Sequence, residues 1–185
     1  MFGPSSGMGY RVPPRRIADI RAHALAVRES LIAPNAPFFR MEPFIEGLLE
    51  YGITYDVVDD NELPFGVEAC CIPERLLMTF SNSTYEKACK DDPRARFTVI
   101  HELGHILMAH TRPHNRDSGR EIAAYEDSEW QANQFAAEFL MPLTHMNMNG
   151  YKTTEELILN YQVSSPAAER RITQLNKRNE LPRNG

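Results

Sequence analysis

The segment His-Glu-Leu-Gly-His at residues 101–105 constrains the fold of this chain more than any other feature. On an α-helix, residues four apart lie on one face, one turn above the other. The two imidazoles would therefore point the same way. The surrounding apolar residues predict a buried helix over about 94–110: Phe97, Val99, Ile100, Leu103, Ile106 and Leu107. Buried imidazoles and carboxylates are costly without partners, and a metal ion would supply one.

The spacing fits zinc. Two histidines four residues apart on a helix can both reach one tetrahedral zinc ion at about 2.0–2.1 Å. Glu102 follows the first histidine directly, so its carboxylate can reach a water molecule on the metal without binding the metal itself. We therefore expect Glu102 to be the catalytic base, which takes a proton from that water and passes it to a leaving amine. The segment predicts one Zn²⁺ per chain, held by His101 and His105 and used to hydrolyse peptide bonds.

A third ligand is needed, because two histidines leave a zinc site incomplete. A downstream histidine in an extended motif is excluded, since Met108 and Thr111 occupy the positions of the required glycine and histidine. The remaining option is a carboxylate from a later helix, with four candidates: Glu126, Asp127, Glu129 and Glu138.

Glu129 is the preferred candidate because of the residue one turn beyond it. Asn133 would lie on the same helix face, where its side chain can accept the second N–H of a ligand histidine. The small and apolar residues that follow suit packing against the helix of His101. The predicted site therefore contains His101, His105 and Glu129 as metal ligands, with Asn133 behind them.

Two segments together resemble the ImmA/IrrE family of metallopeptidases. They read Arg-Phe-Thr-Val-Ile-His-Glu-Leu-Gly-His at residues 96–105 and Glu-Trp-Gln-Ala-Asn-Gln-Phe-Ala-Ala-Glu-Phe-Leu-Met-Pro at residues 129–142, and the similarity spans about residues 40–178. The resemblance implies the same three ligands and the same base. It also implies an α+β fold, in which a small, roughly three-stranded sheet packs on a mainly helical metallopeptidase core with a C-terminal helical hairpin. Relatives cleave helix-turn-helix repressors, which derepresses operons of mobile elements, stress responses or phage defence.

Patterns elsewhere predict the remaining elements of a single metallopeptidase domain over residues 15–180, preceded by a flexible leader over residues 1–14. Apolar periodicity and proline or glycine boundaries predict helices at about 17–31, 43–51, 123–141, 154–161 and 166–177. Runs rich in β-branched and aromatic residues predict strands at about 53–58, 67–72 and 76–80.

Composition places the chain in the cytoplasm. The formal net charge is −5, and three cysteines, two of them adjacent, do not form a disulfide framework. No apolar run approaches the roughly 20 residues that span a bilayer, and the N-terminus lacks the apolar region of a signal peptide. We therefore expect no membrane partner.

Several residues carry weaker hypotheses. His110 or Tyr125 could donate a hydrogen bond to the oxyanion of the tetrahedral intermediate. Cys89, or the Cys70–Cys71 pair, could hold the zinc in a latent state as a thiolate. The C-terminal end is locally basic and could contact DNA, although a helical hairpin with a solvated basic face explains the same residues: Arg170, Arg171, Lys177, Arg178 and Arg183.

Two other classes of function stay open at this stage. The chain could be a DNA-binding regulatory protein that keeps zinc for structure, although an open fourth ligand position argues against a structural site. It could also be a toxin-like protein that sequesters its partner without cutting it.

Overall fold

The computed structural model describes residues 9–33, 35–111 and 121–181, and these ranges form eight α-helices and one three-stranded sheet. The helices are α1 Ile17–Leu31, α2 Met41–Gly47, α3 Asn82–Cys89, α4 Pro93–Leu107, α5 Ser128–Leu140, α6 Leu143–Asn149, α7 Thr154–Tyr161 and α8 Ser165–Lys177. The strands are β1 Thr54–Val58, β2 Ala69–Ile72 and β3 Leu77–Ser81. The predicted α+β class is confirmed, including its small sheet and its C-terminal hairpin of α7 and α8.

The sheet places β3 in the middle. It pairs in parallel with β1 and antiparallel with β2, so β2 is one of the two edge strands. Met78, Thr79 and Phe80 of β3 are buried. The β2 strand packs against α4, the helix that carries the two histidines. All three strands lie within two residues of their predicted bounds.

The helices α4 and α5 form the centre of the molecule. Asp92 caps α4 by accepting hydrogen bonds from the backbone N–H groups of residues 94 and 95, and Pro93 occupies the first helical position. Asp127 caps α5 by accepting from Trp130 N at 2.7 Å. This cap explains why α5 begins at Ser128 and not near residue 123 as predicted, because residues 124–126 form a separate 3₁₀ turn.

A glycine brings these two helices close together. A Cβ built at Gly104 would stand 3.0 Å from Cδ1 of Phe135 on α5. Any larger residue there would require Phe135 to shift, so the absence of a side chain helps the α4 histidines to come near α5. Gly104 therefore contributes to the site through packing.

A buried ion-pair cluster joins α5 to two other helices. Arg171 of α8 donates to both carboxylate oxygens of Glu138 at 2.8 and 2.6 Å, and Arg21 of α1 donates to Glu138 at 3.0 Å. Both side chains of the Arg171–Glu138 pair are fully buried. Burial alone would raise the pKa of Glu138, but its bonds to Arg171 and Arg21 outweigh burial and lower it.

The N-terminal segment differs from its prediction. Residues 9–14 belong to the predicted flexible leader, yet they lie against the residues that precede α5. Val12 N donates to Glu126 O at 2.8 Å, and Ser128 N donates to Tyr10 O at 3.1 Å. A β-bridge joins Arg11 to Asp127. Backbone hydrogen bonds therefore hold this segment in place, while residues 1–8 lie outside the described ranges.

The structure also contains α6, a short helix after Pro142 that the sequence analysis did not predict. Within the described part of the chain, no helix is long and apolar enough to cross a membrane.

Candidate metal centre

Three predicted ligands converge where α4 faces the first turn of α5. His101 Nε2 and His105 Nε2 are 3.1 Å apart. Glu129 Oε2 lies 3.2 Å from His101 Nε2, and Glu129 Oε1 lies 3.3 Å from His105 Nε2. The three side chains form one group that could hold a metal ion, with ligand atoms within 4.8 Å of one another.

The donor set fits zinc. Two ligand atoms of a tetrahedral zinc site, each at about 2.0–2.1 Å from the metal, stand about 3.3 Å apart. The three distances between nitrogens and oxygens in this group are close to that value. Two imidazoles and one carboxylate also form a set that zinc enzymes use when a fourth position stays open for water or substrate.

Glu129 and His101 each stabilise the charged form of the other. Burial alone would raise the pKa of Glu129, but its hydrogen bonds to His101 and His105 and their charges lower it far below the usual range. Burial would also lower the pKa of His101, but the bond to Glu129 and the charges of Glu102 and Glu129 raise it. The site therefore favours the charged forms of Glu129 and His101, although the ligand side chains are only 5–21% exposed.

Glu102 lies beside this group without belonging to it. It is 3% exposed, and its Oε2 has no hydrogen-bond partner among the described residues. The Cys71 thiol of β2 lies beside the Glu102 carboxylate. Burial first, and then the charge of Glu102, raise the pKa of Cys71 well above its usual value. A cleft of about 220 Å³ opens onto both His101 and Glu102. A carboxylate with an unused oxygen at a cleft is suited to hold or transfer a proton.

Asn133 lies one turn beyond Glu129 on α5, as its spacing predicts. Its side chain lies beside His101 and adds to the rise in the pKa of that imidazole. The first two turns of α5 therefore face the turn of α4 between His101 and His105.

The sequence analysis did not predict that His110 contacts His105. It is 1% exposed and lies behind His105, with 3.0 Å between the Nδ1 atoms of the two rings. Its other nitrogen, Nε2, lies 3.0 Å from Gln131 Oε1. Burial, followed by the charge of His105, lowers the pKa of His110 to about 4. Both ring nitrogens are engaged away from the cleft, so the predicted donation from His110 to a substrate oxyanion does not match this geometry.

The partners of Gln131 determine which nitrogens carry protons. Gln131 Nε2 donates to Pro13 O at 2.9 Å and to Tyr125 O at 2.8 Å, so Gln131 Oε1 faces His110. That oxygen only accepts, and His110 must therefore carry its proton on Nε2. His110 Nδ1 then accepts from His105 Nδ1–H. In the metal-free site His105 Nε2 can donate to Glu129 Oε1, and a metal would replace that proton.

The backbone at the end of α4 brings His110 into this position. Ala109 adopts a left-handed conformation (φ 52°), and His110 N donates to His105 O at 3.0 Å. The chain thus turns back under His105. Neither a glycine nor a helical spacing marks this turn in the sequence, so only the folded chain reveals the contact between His110 and His105. Tyr10 adds a further hydrogen bond from its hydroxyl to His110 O.

The other residues to which the sequence analysis gave weaker roles do not belong to the group of His101, His105 and Glu129. Tyr125 is 52% exposed. Its backbone oxygen, and not its ring, accepts a hydrogen bond from Gln131. Cys89 lies on α3 beside Tyr85 and not in the histidine group. Of the basic residues near the C-terminus, Arg171 and Arg178 pair with Glu138 and Glu180. Arg183 lies outside the described ranges.

One comparison with known proteins identifies a family. The family model described as peptidase M78, IrrE N-terminal-like domain, matches residues 80–173, just over half of the chain. The match covers the end of β3, all of α3 to α7 and most of α8, and so includes every residue of the converging group. No curated protein matches the chain significantly.

Proposed function

The chain belongs to the IrrE N-terminal-like family of peptidases, and we propose that it is a zinc-dependent endopeptidase that cleaves a helix-turn-helix transcriptional repressor. Cleavage would derepress an operon of a mobile element, a stress response or a phage defence system. The observation that carries the proposal is the convergence of His101, His105 and Glu129 next to the buried carboxylate of Glu102. The repressor as substrate rests on the resemblance of residues 96–105 and 129–142 to the ImmA/IrrE family.

Each residue of the site has a role in this proposal. His101, His105 and Glu129 hold the metal. Zinc, when bound, lowers the pKa of a water molecule and polarises the carbonyl of the scissile bond. Glu102 accepts the proton of the attacking water on Oε2 and delivers it to the amine nitrogen as the C–N bond breaks.

Two hydrogen bonds orient the ligand histidines from behind. We expect Asn133 to accept from the N–H of His101 that faces away from the metal, and His110, whose Nδ1 is 3.0 Å from His105 Nδ1, to do the same for His105. Fixing both tautomers keeps the two Nε2 lone pairs directed at one point. The groups behind the ligands thus preorganise the site before the metal arrives.

The test is incubation of the purified, zinc-loaded protein with the repressor encoded by a neighbouring gene, followed by mass measurement of the repressor. We expect a single clipped bond with the wild-type protein. Glu102→Gln should retain zinc and stability but leave the repressor intact. Glu155→Gln, which changes an exposed glutamate of α7, is the matched control and should cleave normally. Cleavage by Glu102→Gln would refute the role of this carboxylate, and a wild-type protein without zinc would refute the metal site.

A further inference from the structure

Phe65 is the most exposed large apolar side chain in the described part of the chain. It is 107% exposed, against 79% for Leu159, which comes next. A phenylalanine ring in water forgoes the free energy that burial of its apolar surface would provide. Single exposed apolar residues are nevertheless common on protein surfaces, so exposure alone assigns no role. The place of Phe65 in the fold has to decide its role.

Phe65 lies at the tip of a tight turn between β1 and β2. Val67 N donates to Pro64 O at 2.9 Å, and Gly66 has a φ of 79°. A positive φ at the third residue of a four-residue turn is typical of a type II turn, which favours glycine there. Leu63 and Val67, on either side of the tip, are buried in one apolar cluster. Both ends of the turn are thus anchored, while the Phe65 ring stays in solvent.

The same turn borders the cleft of the metal centre. Gly66 lines the cleft of about 220 Å³ that opens onto His101 and Glu102. Because successive Cα atoms are about 3.8 Å apart, Phe65 lies at the rim of this cleft. A protein interface of standard size covers about 800 Å² of each partner, which corresponds to a circle with a radius of about 16 Å. A protein bound with its scissile segment at Glu102 would therefore cover Phe65 as well.

We infer that the turn of residues 64–67 is a docking surface for the protein substrate, in which the Phe65 ring packs against an apolar patch outside the cleaved segment. Aromatic side chains are enriched in interfaces, where a few of them contribute most of the binding free energy. The anchored backbone favours this role, because binding then has to order little besides the side chain. The inference rests on the proposed function and deepens it, since it states how the site selects a whole protein and not any peptide that reaches the metal.

The first measurement is the binding of the intact repressor to zinc-loaded Glu102→Gln protein, which should not cut it. In that background Phe65→Ser should raise Kd about 10- to 100-fold, the range expected when one buried phenylalanine is lost. Phe65→Leu keeps an apolar side chain and should retain most of the affinity. Leu159→Ser is the matched control, because it removes an exposed apolar side chain of α7 that does not line the cleft. It should leave Kd unchanged.

The second measurement compares the intact repressor with a short synthetic peptide that spans the cleaved bond. With Glu102 present, Phe65→Ser should lower the ratio of kcat/KM for the intact repressor to kcat/KM for the peptide by about tenfold or more, mainly through KM. An unchanged ratio together with an unchanged Kd would overturn the docking surface. An equal loss for both substrates would overturn it too, because Phe65 would then act inside the cleft.

A second copy of this chain is the other partner that an exposed ring could take. Sedimentation of the protein without repressor tests it. We expect Phe65→Ser and the wild-type protein to sediment alike. Self-association that Phe65→Ser abolishes would assign the ring to contacts between copies and overturn the docking of substrate.

Failure of the docking surface and failure of the proposed function are distinguishable. A repressor that binds in a manner dependent on Phe65 but is never cut keeps the surface and removes the peptidase. Cleavage that does not depend on Phe65 keeps the peptidase and removes only the surface. A repressor that is neither bound nor cut contradicts both.

Discussion

Replacement of His110 by phenylalanine should weaken zinc binding, although His110 is not one of the converging ligands. In the wild-type protein His110 Nδ1 accepts the hydrogen bond from His105 Nδ1–H. Phenylalanine keeps a ring of similar shape in a position that is 1% exposed, but it has no acceptor. His105 then loses the partner that holds its Nδ1–H and so directs Nε2 towards the metal position.

The expected magnitude follows from two estimates. Loss of a partner behind a metal-binding histidine typically weakens metal affinity by about 10–100-fold. That loss corresponds to about 1.4–2.8 kcal/mol. A buried donor left without an acceptor costs about 1–3 kcal/mol, which is the same range. That cost applies to folding stability, and only the part of it that differs between the metal-free and metal-bound forms lowers the zinc affinity.

The assay is competition for zinc between the metal-stripped protein and a chromophoric chelator at neutral pH. His110→Asn is the matched control. Its side-chain oxygen can take the place of Nδ1 and accept from His105, so its affinity should lie closer to the wild-type value. Urea unfolding of each metal-free protein verifies that the variants are folded.

Equal zinc affinity in folded His110→Phe and wild-type protein would refute the reasoning. The contact at His105 would then be packing alone. A loss of affinity that is equally large in His110→Asn would also count against the role of the acceptor, because it would point to the ring and not to its nitrogen.

Three further predictions concern the surroundings of the site. Gly104→Ala places a methyl group 3.0 Å from Phe135 Cδ1; it should cost about 1–3 kcal/mol in urea unfolding and also weaken zinc binding. Glu138→Gln leaves Arg171 buried without its charge partner and should cost about 3–5 kcal/mol at pH 7. The pKa of Glu138 is lower in the folded protein than in the unfolded chain, where it is about 4.3. The ionised carboxylate therefore stabilises the wild-type protein above that pH, and this stabilisation is lost as the pH falls through the folded-state pKa. Urea unfolding at several pH values should show that the stability of Glu138→Gln depends less on acid. Removal of zinc with a chelator should lower Tm and abolish repressor cleavage, and added Zn²⁺ should restore both.

The convergence of His101, His105 and Glu129 could be predicted from the sequence because helical spacing relates the residues on each helix. His101, His105, Glu129 and Asn133 are related by steps of four residues, and such steps place side chains on one face of each helix. The packing of α4 against α5 then brings the two faces together. Gly104 is visible in the sequence, but its role in bringing the helices close requires the position of Phe135.

The supporting groups escape sequence analysis for a physical reason. His110 follows α4 through a left-handed alanine, and Gln131 points to a different side of α5 from Glu129. Their contact depends on tertiary geometry and not on local periodicity. The same holds for residues 9–14, whose glycine and prolines suggest a loose leader. Their order comes from backbone hydrogen bonds to residues 126–128, more than 100 positions away.

The attachment of the N-terminal segment has a consequence for how metal binding can be observed. Pro13 O and the Tyr10 hydroxyl contact Gln131 and His110, which in turn orient His105. If zinc stabilises one arrangement of this chain of bonds, docking of the segment and binding of the metal are thermodynamically coupled, and the coupling is reciprocal. The amides of Val12 and Arg15, which donate to Glu126 O and Tyr125 O, should then exchange with solvent more slowly when zinc is present. Hydrogen exchange at this end of the chain would thus report metal occupancy without any substrate.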